Sequence, residues 1–478
     1  MKPDVSVVSS DSRSDTRSHT WLQALSDAIR GVHHDYTAGS INRAIVLLAV
    51  PMVLEMCMES LFGVADVFWV AHLGANAIAT VGLTETGLTL VFVIAIGLSV
   101  GATAVVARRT GEKDPAGAGT AAVQAILMGL VISSIVAVVG YTLAPDLLRA
   151  LGGSDEVVRT GSGYTRVILS GSATVFLLFL INAVFRGAGD AAIAMRVLWI
   201  ANIVNICLNP CLIFGWGPFP EMGVTGSAVG TTIGRGVGVV LQLWVLFSGK
   251  GRIKVSARQI RVDWEIMQRM LRLSLTAMFQ YLVQMASWIG VVRIIAGFSS
   301  SAVAANTLAI KIILFALLPS WGMSNAAATL VGQNLGARRP DRAEQSVWRA
   351  GLFNMVFLGV IGLLFIIFAR PLIGAFTDDP AVVPVAVQGL RLLACGNISY
   401  AYGMVLAAAF NGAGDTVTPT MLNLLCFWAC QIPLAYTLAI PLGWGPSGVW
   451  TAVLVADTLL AVLAIILFRR GTWKKTVL

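Results

Sequence analysis

A chain that offers twelve separate apolar runs, each long enough to cross a bilayer as a helix, has few folds open to it. The runs lie near residues 43–70, 77–107, 118–144, 157–185, 191–214, 224–248, 266–296, 302–333, 344–369, 381–409, 417–440 and 447–468. About 20 residues at 1.5 Å each traverse the roughly 30 Å hydrocarbon layer. The pattern predicts an all-α polytopic membrane protein with twelve transmembrane helices. Composition agrees: 57% of residues are hydrophobic and only 12% are charged, outside the range of soluble domains.

Basic residues punctuate alternate loops. Arg30 and Arg43 precede span 1, Arg108, Arg109 and Lys113 follow span 2, and Arg186 and Arg196 flank the turn after span 4. The largest cluster, from Lys250 to Arg272, joins spans 6 and 7, and Arg338, Arg339, Arg342 and Arg349 follow span 8. The opposite loops carry only Arg149, Arg159 and Arg370. The positive-inside rule therefore predicts a multi-pass protein of the cell membrane with both termini in the cytoplasm. The net charge of +9 reads as topology. Basic residues scattered over loops, without interleaved aromatics, do not make a nucleic-acid surface, so the bilayer is the expected partner and nucleic acid is not.

The resulting division is a largely disordered cytoplasmic tail at 1–40, an N-lobe at 41–249, a basic linker at 250–265, a C-lobe at 266–470 and a tail at 471–478. Trp21, Leu22, Leu25, Ile29 and Val32 give the first tail a surface helix. The six cysteines all fall within spans, which rules out a disulfide framework. Cys207/Cys211 and Cys426/Cys430 are spaced one turn apart, but no histidine or carboxylate completes a shell, so no metal is expected.

The chain repeats itself. A shift of 225 residues lays FRGAGD (Phe185 to Asp190) on FNGAGD (Phe410 to Asp415), and RRTGEKDP (Arg108 to Pro115) on QNLGARRP (Gln333 to Pro340). Two pseudo-symmetric six-helix lobes follow, with a substrate path between them, as in transporters built from parallel repeats.

Span 1 is the exception to its own polarity. Glu55, Glu59 and Asp66 interrupt the stretch Ala44 to Val70, and at about 100° per residue they fall near 0°, 40° and 20° on the helix wheel. An ionised carboxylate at the centre of a lone helix costs roughly 2.5 to 3.5 kcal/mol, so this stripe must face protein, cations or water. Under the constant shift these residues meet Gln280, Gln284 and Val291. The fold can thus be built without the acids.

Span 5 repeats the asymmetry. Asn205 and Asn209 share a face, and the same shift pairs them with Cys430 and Leu434. With the N-terminus inside, Asp66, Asn205 and Asn209 lie in the outer half of the bilayer, and Thr231 of span 6 lies about 12 Å down from its outer end. These four are the expected site for a hard monovalent cation or a proton. Arg235, one turn deeper, is the expected partner of Glu59 or Glu55, the two carboxylates expected to line a cavity. No GxxxxGK[ST] sequence occurs, so an ion gradient is favoured over ATP, and no cofactor is expected beyond the coupling H⁺ or Na⁺.

These residues resemble the multidrug and toxic compound extrusion (MATE) family. The carriers are Pro51 followed fifteen residues later by Asp66, GATAVVARRTG and AAATLVGQNLGA after spans 2 and 8, the paired GAGD turns, NICLNP in span 5 and GVTGSAVGTT in span 6. The resemblance implies a non-enzymatic, alternating-access antiporter that exports organic cations or amphipathic drugs and metabolites in exchange for H⁺ or Na⁺. It implies a cation site at Asp66, Asn205, Asn209 and Thr231, and a bending point of span 1 at Pro51. Positions matching the carboxylates that some relatives carry in the C-lobe are Gln284 and Tyr400, which implies no ion site there. A flippase for lipid-linked saccharides, from the same superfamily, is the alternative; it would call for a cationic cleft, whereas this first half is acidic. Oligomeric state is left open and is compatible with a monomer.

Overall fold

The computed structural model describes residues 21–476, so the expectations for residues 1–20 and for the last two residues lie outside it. A short helix, α1 (Trp21–Arg30), comes first. Spans 1 to 6 are α2 (Ile41–Ala71), α3 (Ala75–Gly111), α4 (Pro115–Ala150), α5 and α6 in series (Asp155–Ser170, Ser172–Ala188), α7 (Ala191–Phe214) and α8 (Val224–Ser248). Spans 7 to 12 are α9 (Trp264–Ala296), α10 (Ser300–Gly336), α11 (Pro340–Ile367) with the short α12 (Ala369–Gly374), α13 (Val383–Ala413), α14 and α15 (Val417–Asn423, Ile432–Ala439) and α16 (Pro446–Arg470). Twelve of these segments are long and apolar enough to cross a membrane, as the sequence predicts.

The repeat is visible in backbone detail. The turns after spans 2 and 8 both hold a basic residue in the left-handed region, Lys113 at φ 59° and Arg338 at φ 57°, ahead of a proline at the first helical position. The lobes meet where α2 packs on α10 and α3 on α9. At the end carrying both termini, Gly111 lies against the carbonyl of Gln333, and Gly336 lies against that of Arg108. Each contact is the other shifted by 225 residues. A Cβ would stand 2.0 Å from the oxygen in the first case and 2.2 Å in the second, so only glycine permits the crossing.

The shift is not constant, which corrects part of the pairing expected above. Spans 5 and 11 begin in step at Asp190 and Asp415, but π-helical turns over Leu424–Gln431 insert one residue. Beyond them the carbonyls of Leu212 and Ile213 accept from the amides of Met222 and Gly223, just as those of Leu438 and Ala439 accept from Trp444 and Gly445. The shift is therefore 226 late in span 5. Because the next loop is four residues shorter in the C-lobe, it becomes 222 in span 6. The ends of α8 and α16 agree: Gly223 and Gly445 enter at φ 56° and 59°, and Gly249 and Gly471 close at φ 70° and 72°. Asn205 and Asn209 thus correspond to Gln431 and Ala435, and not to Cys430 and Leu434.

Residues 31–40, expected as free tail, are tied down by arginines of the linker and the C-lobe. Arg252 donates to His34 O at 2.7 Å, Arg339 to Thr37 O at 2.7 Å, and Arg342 to Ala38 O and Gly39 O at 2.8 Å each. The strap is ordered because its backbone carbonyls accept from the loop cations.

Candidate functional site

The acidic face of α2 turns inward. Glu55 and Asp66 are buried, and Glu59 is half-buried. Asp66 Oδ1 accepts from Asn209 Nδ2 at 2.9 Å and from Ser227 Oγ at 2.9 Å. Asn209 Nδ2 also reaches Asn205 Oδ1 at 3.3 Å, and Asn205 Nδ2 donates to Thr231 Oγ1 at 2.9 Å. Three helices, α2, α7 and α8, therefore bring the four expected residues into one network. Ser227 is a fifth member that sequence reasoning passed over. Its signal was its place one turn before Thr231, on the same helical face.

The network is built to hold one negative charge. Each hydrogen bond to a carboxylate is worth about 1.5–3 kcal/mol, roughly twice a neutral one. Oxygens of one carboxylate, two amides and two hydroxyls lie together there. A proton on Asp66, or a small hard cation among these oxygens, would be chemically at home.

The expected Arg235 pairing is not what forms. Glu55 pairs instead with Arg186 of the FRGAGD turn, Oε1 to Nη1 at 2.8 Å, and accepts from Asn182 Nδ2 at 3.1 Å. Glu59 accepts a long 3.5 Å contact from Asn202 Nδ2. The Arg235 guanidinium stands over the rings of Phe62 and Phe92, 5.6 and 5.9 Å from their centres. Arg186 wins because α6 ends beside Glu55, whereas α8 carries Arg235 against aromatic side chains. The repeat held this signal: Glu55 and Arg186 become Gln280 and Asn411 in the second half, so the ion pair is lost as a unit.

Pro51 sits buried inside α2 and withholds one amide from the helix ladder, at the carbonyl of Leu47. Two connected chambers open between the lobes. One of about 360 Å³ is lined by Glu55, Glu59, Arg186 and Arg235. The other, of about 460 Å³, is lined by Tyr281, Gln284, Trp288, Trp321, Tyr400 and Asp457. Phe92, Ile96, Tyr281, Gln284, Leu318, Trp321 and Tyr400 belong to both. Gln284 and Tyr400 do meet, at 3.5 Å, but the C-lobe chamber also holds a carboxylate, Asp457, that the reading from the resemblance did not include.

A helical membrane protein of two matched lobes, with a chambered cleft between them and a buried carboxylate beside it, has the build of a solute transporter. The MatE family model matches residues 51–211 and 273–437, one segment in each repeat, and the chain belongs to that family. It is a transporter and not an enzyme. It is 26% identical over 441 residues to a probable multidrug resistance protein NorM of Thermotoga maritima, covering 91% of this chain and 94% of the relative. It is 25% identical over 445 residues to the probable multidrug resistance protein YoeA of Bacillus subtilis, covering 91% and 95%. Among solved structures it matches an outward-facing multidrug resistance MATE family transporter with a TM-score of 0.85 and 26% identity, covering 92% of this chain and 98% of that one.

Proposed function

We propose that this transporter is an antiporter that exports organic cations or amphipathic drugs and metabolites in exchange for H⁺ or Na⁺, with both termini in the cytoplasm of a cell whose membrane it spans. The observation that carries the reading is the convergence of Asp66, Asn205, Asn209 and Thr231, with Ser227, on one buried carboxylate. Asp66 is the coupling group. A proton or Na⁺ arriving there cancels the charge that draws the Asn209 and Ser227 donors onto α2, and so loosens α2 against α7 and α8. Pro51 gives α2 a point at which to bend, because one backbone hydrogen bond is already missing there. Glu55 and Glu59 offset Arg186 and Arg235 in the N-lobe chamber, so it is not the cationic cleft that the pyrophosphate of a lipid-linked saccharide would call for. One charge moving down 100 mV supplies about 2.3 kcal/mol, enough to drive accumulation on one side.

The test is ethidium efflux activity, read as uptake into the lumen of inverted vesicles under separately imposed Na⁺ and pH gradients. Asp66→Asn is expected to abolish gradient-driven efflux while the protein still folds and inserts. Unchanged efflux would remove Asp66 from the mechanism, and the gradient that drives the parent protein identifies the ion.

A further inference from the structure

The corrected register puts Asp457 at the position of Arg235, 222 residues earlier, on helices of equal length that enter and leave through matching glycines. The two lobes thus carry opposite charges at one structural position. In the N-lobe the cation is sheltered over Phe62 and Phe92. Asp457, by contrast, lines the 460 Å³ chamber, and among the described residues no side chain donates a hydrogen bond to it and no arginine, lysine or histidine pairs with it. The groups that titrate around it are Tyr281 of α9, Tyr400 of α13 and Cys426 on the π-helical turns, and none is a cation. A carboxylate kept in an apolar chamber calls for a positive charge, and the chain does not supply one.

The remaining lining says what kind of positive charge. An alkali ion takes about six oxygen ligands at close range, and the walls here are mainly aromatic and aliphatic. A volume of about 460 Å³ falls within the roughly 300–1,000 Å³ of small-molecule sites. Tyr281, Trp288, Trp321 and Phe427 offer π faces, which attract organic cations that cannot hydrogen-bond. We infer that the C-lobe chamber is a recognition site for a monovalent organic cation, with Asp457 as its counter-charge and the aromatic wall as its bed. This deepens the exporter reading and rests on it for the substrate class, but it is tested at equilibrium, where no gradient or transport is needed.

The full-length protein in nanodiscs is titrated with ethidium, a cation, and with dihydroethidium, its neutral reduced form of nearly the same shape. Asp457→Asn is expected to weaken ethidium at least tenfold and to leave dihydroethidium within twofold, and Asp457→Glu is expected to restore ethidium to within threefold of the parent. Unchanged ethidium affinity in Asp457→Asn overturns the assignment, and so does an equal loss of both probes, which would mark a structural role. The parent protein supplies a check that needs no variant: carbodiimide labelling of Asp457, read by mass spectrometry, should be blocked by ethidium and not by dihydroethidium. Labelling that persists at saturating ethidium also overturns it. Failure of Asp66→Asn in vesicles with Asp457 behaving as expected would sink the coupling reading and leave this site standing.

Discussion

Where the first lobe gathers Asp66, Asn209, Ser227 and Thr231, the second has Val291, Ala435, Val449 and Val453, all four packed in one apolar core. The helices that carry them follow the same course. The comparison separates what the scaffold needs from what has been added to it: apolar packing holds this junction of three helices in the C-lobe, so the polar cluster of the N-lobe is not there to build the fold. The same holds about three turns away along the acidic helix, where Glu55 and Arg186 face each other in one lobe and Gln280 and Asn411 take their places in the other.

The largest effect should come from breaking that ion pair on one side only. Arg186→Ala leaves the buried Glu55 charge unpaired and is expected to lower stability by about 3–5 kcal/mol, measured by unfolding in detergent. Adding Glu55→Gln and replacing Arg186 by Asn instead, which copies the C-lobe pair, should recover all but about 1 kcal/mol. If the copy is as unstable as Arg186→Ala, the lobes are not interchangeable at this position.

Giving the N-lobe the residues of its twin (Asp66→Val, Asn205→Gln, Asn209→Ala, Ser227→Val and Thr231→Val together, so that no amide is left without the partners it now has) should keep the fold and raise its stability by up to about 1–4 kcal/mol, with efflux no longer responding to either gradient. A variant that fails to fold would show that the cluster is structural after all. The smallest effect tests the symmetry itself. Gly111→Ala and Gly336→Ala each force a methyl onto a partner carbonyl and should each cost about 1–3 kcal/mol, equal within about 0.5 kcal/mol. Unequal costs would show that the two halves of the crossing bear different loads.

Much of this was legible in the residues. Hydrophobic length gave the twelve spans, because a helix in lipid must satisfy its backbone alone and needs a fixed number of apolar residues to do so. Helical periodicity set Glu55, Glu59 and Asp66 on one stripe, and depth counted along α7 and α8 brought Asn205, Asn209 and Thr231 to the level of Asp66. These are local properties, carried by each span separately. Ser227 lay within reach of the same reasoning, one turn from Thr231, but a serine in a small-residue stretch reads as packing until a carboxylate is seen beside it.

What the sequence by itself determined is the set of helices, the repeat and the inward-facing acid. The choice of Arg186 over Arg235 as the partner of Glu55, the one-residue insertion in span 11, and the matching of Arg235 with Asp457 belong to the tertiary structure alone. The physical reason is that a partner is chosen by distance across helices, and distance depends on how each helix is rotated and where it begins. A π-helical insertion or a loop four residues shorter changes both while leaving the pattern of apolar residues in every span intact.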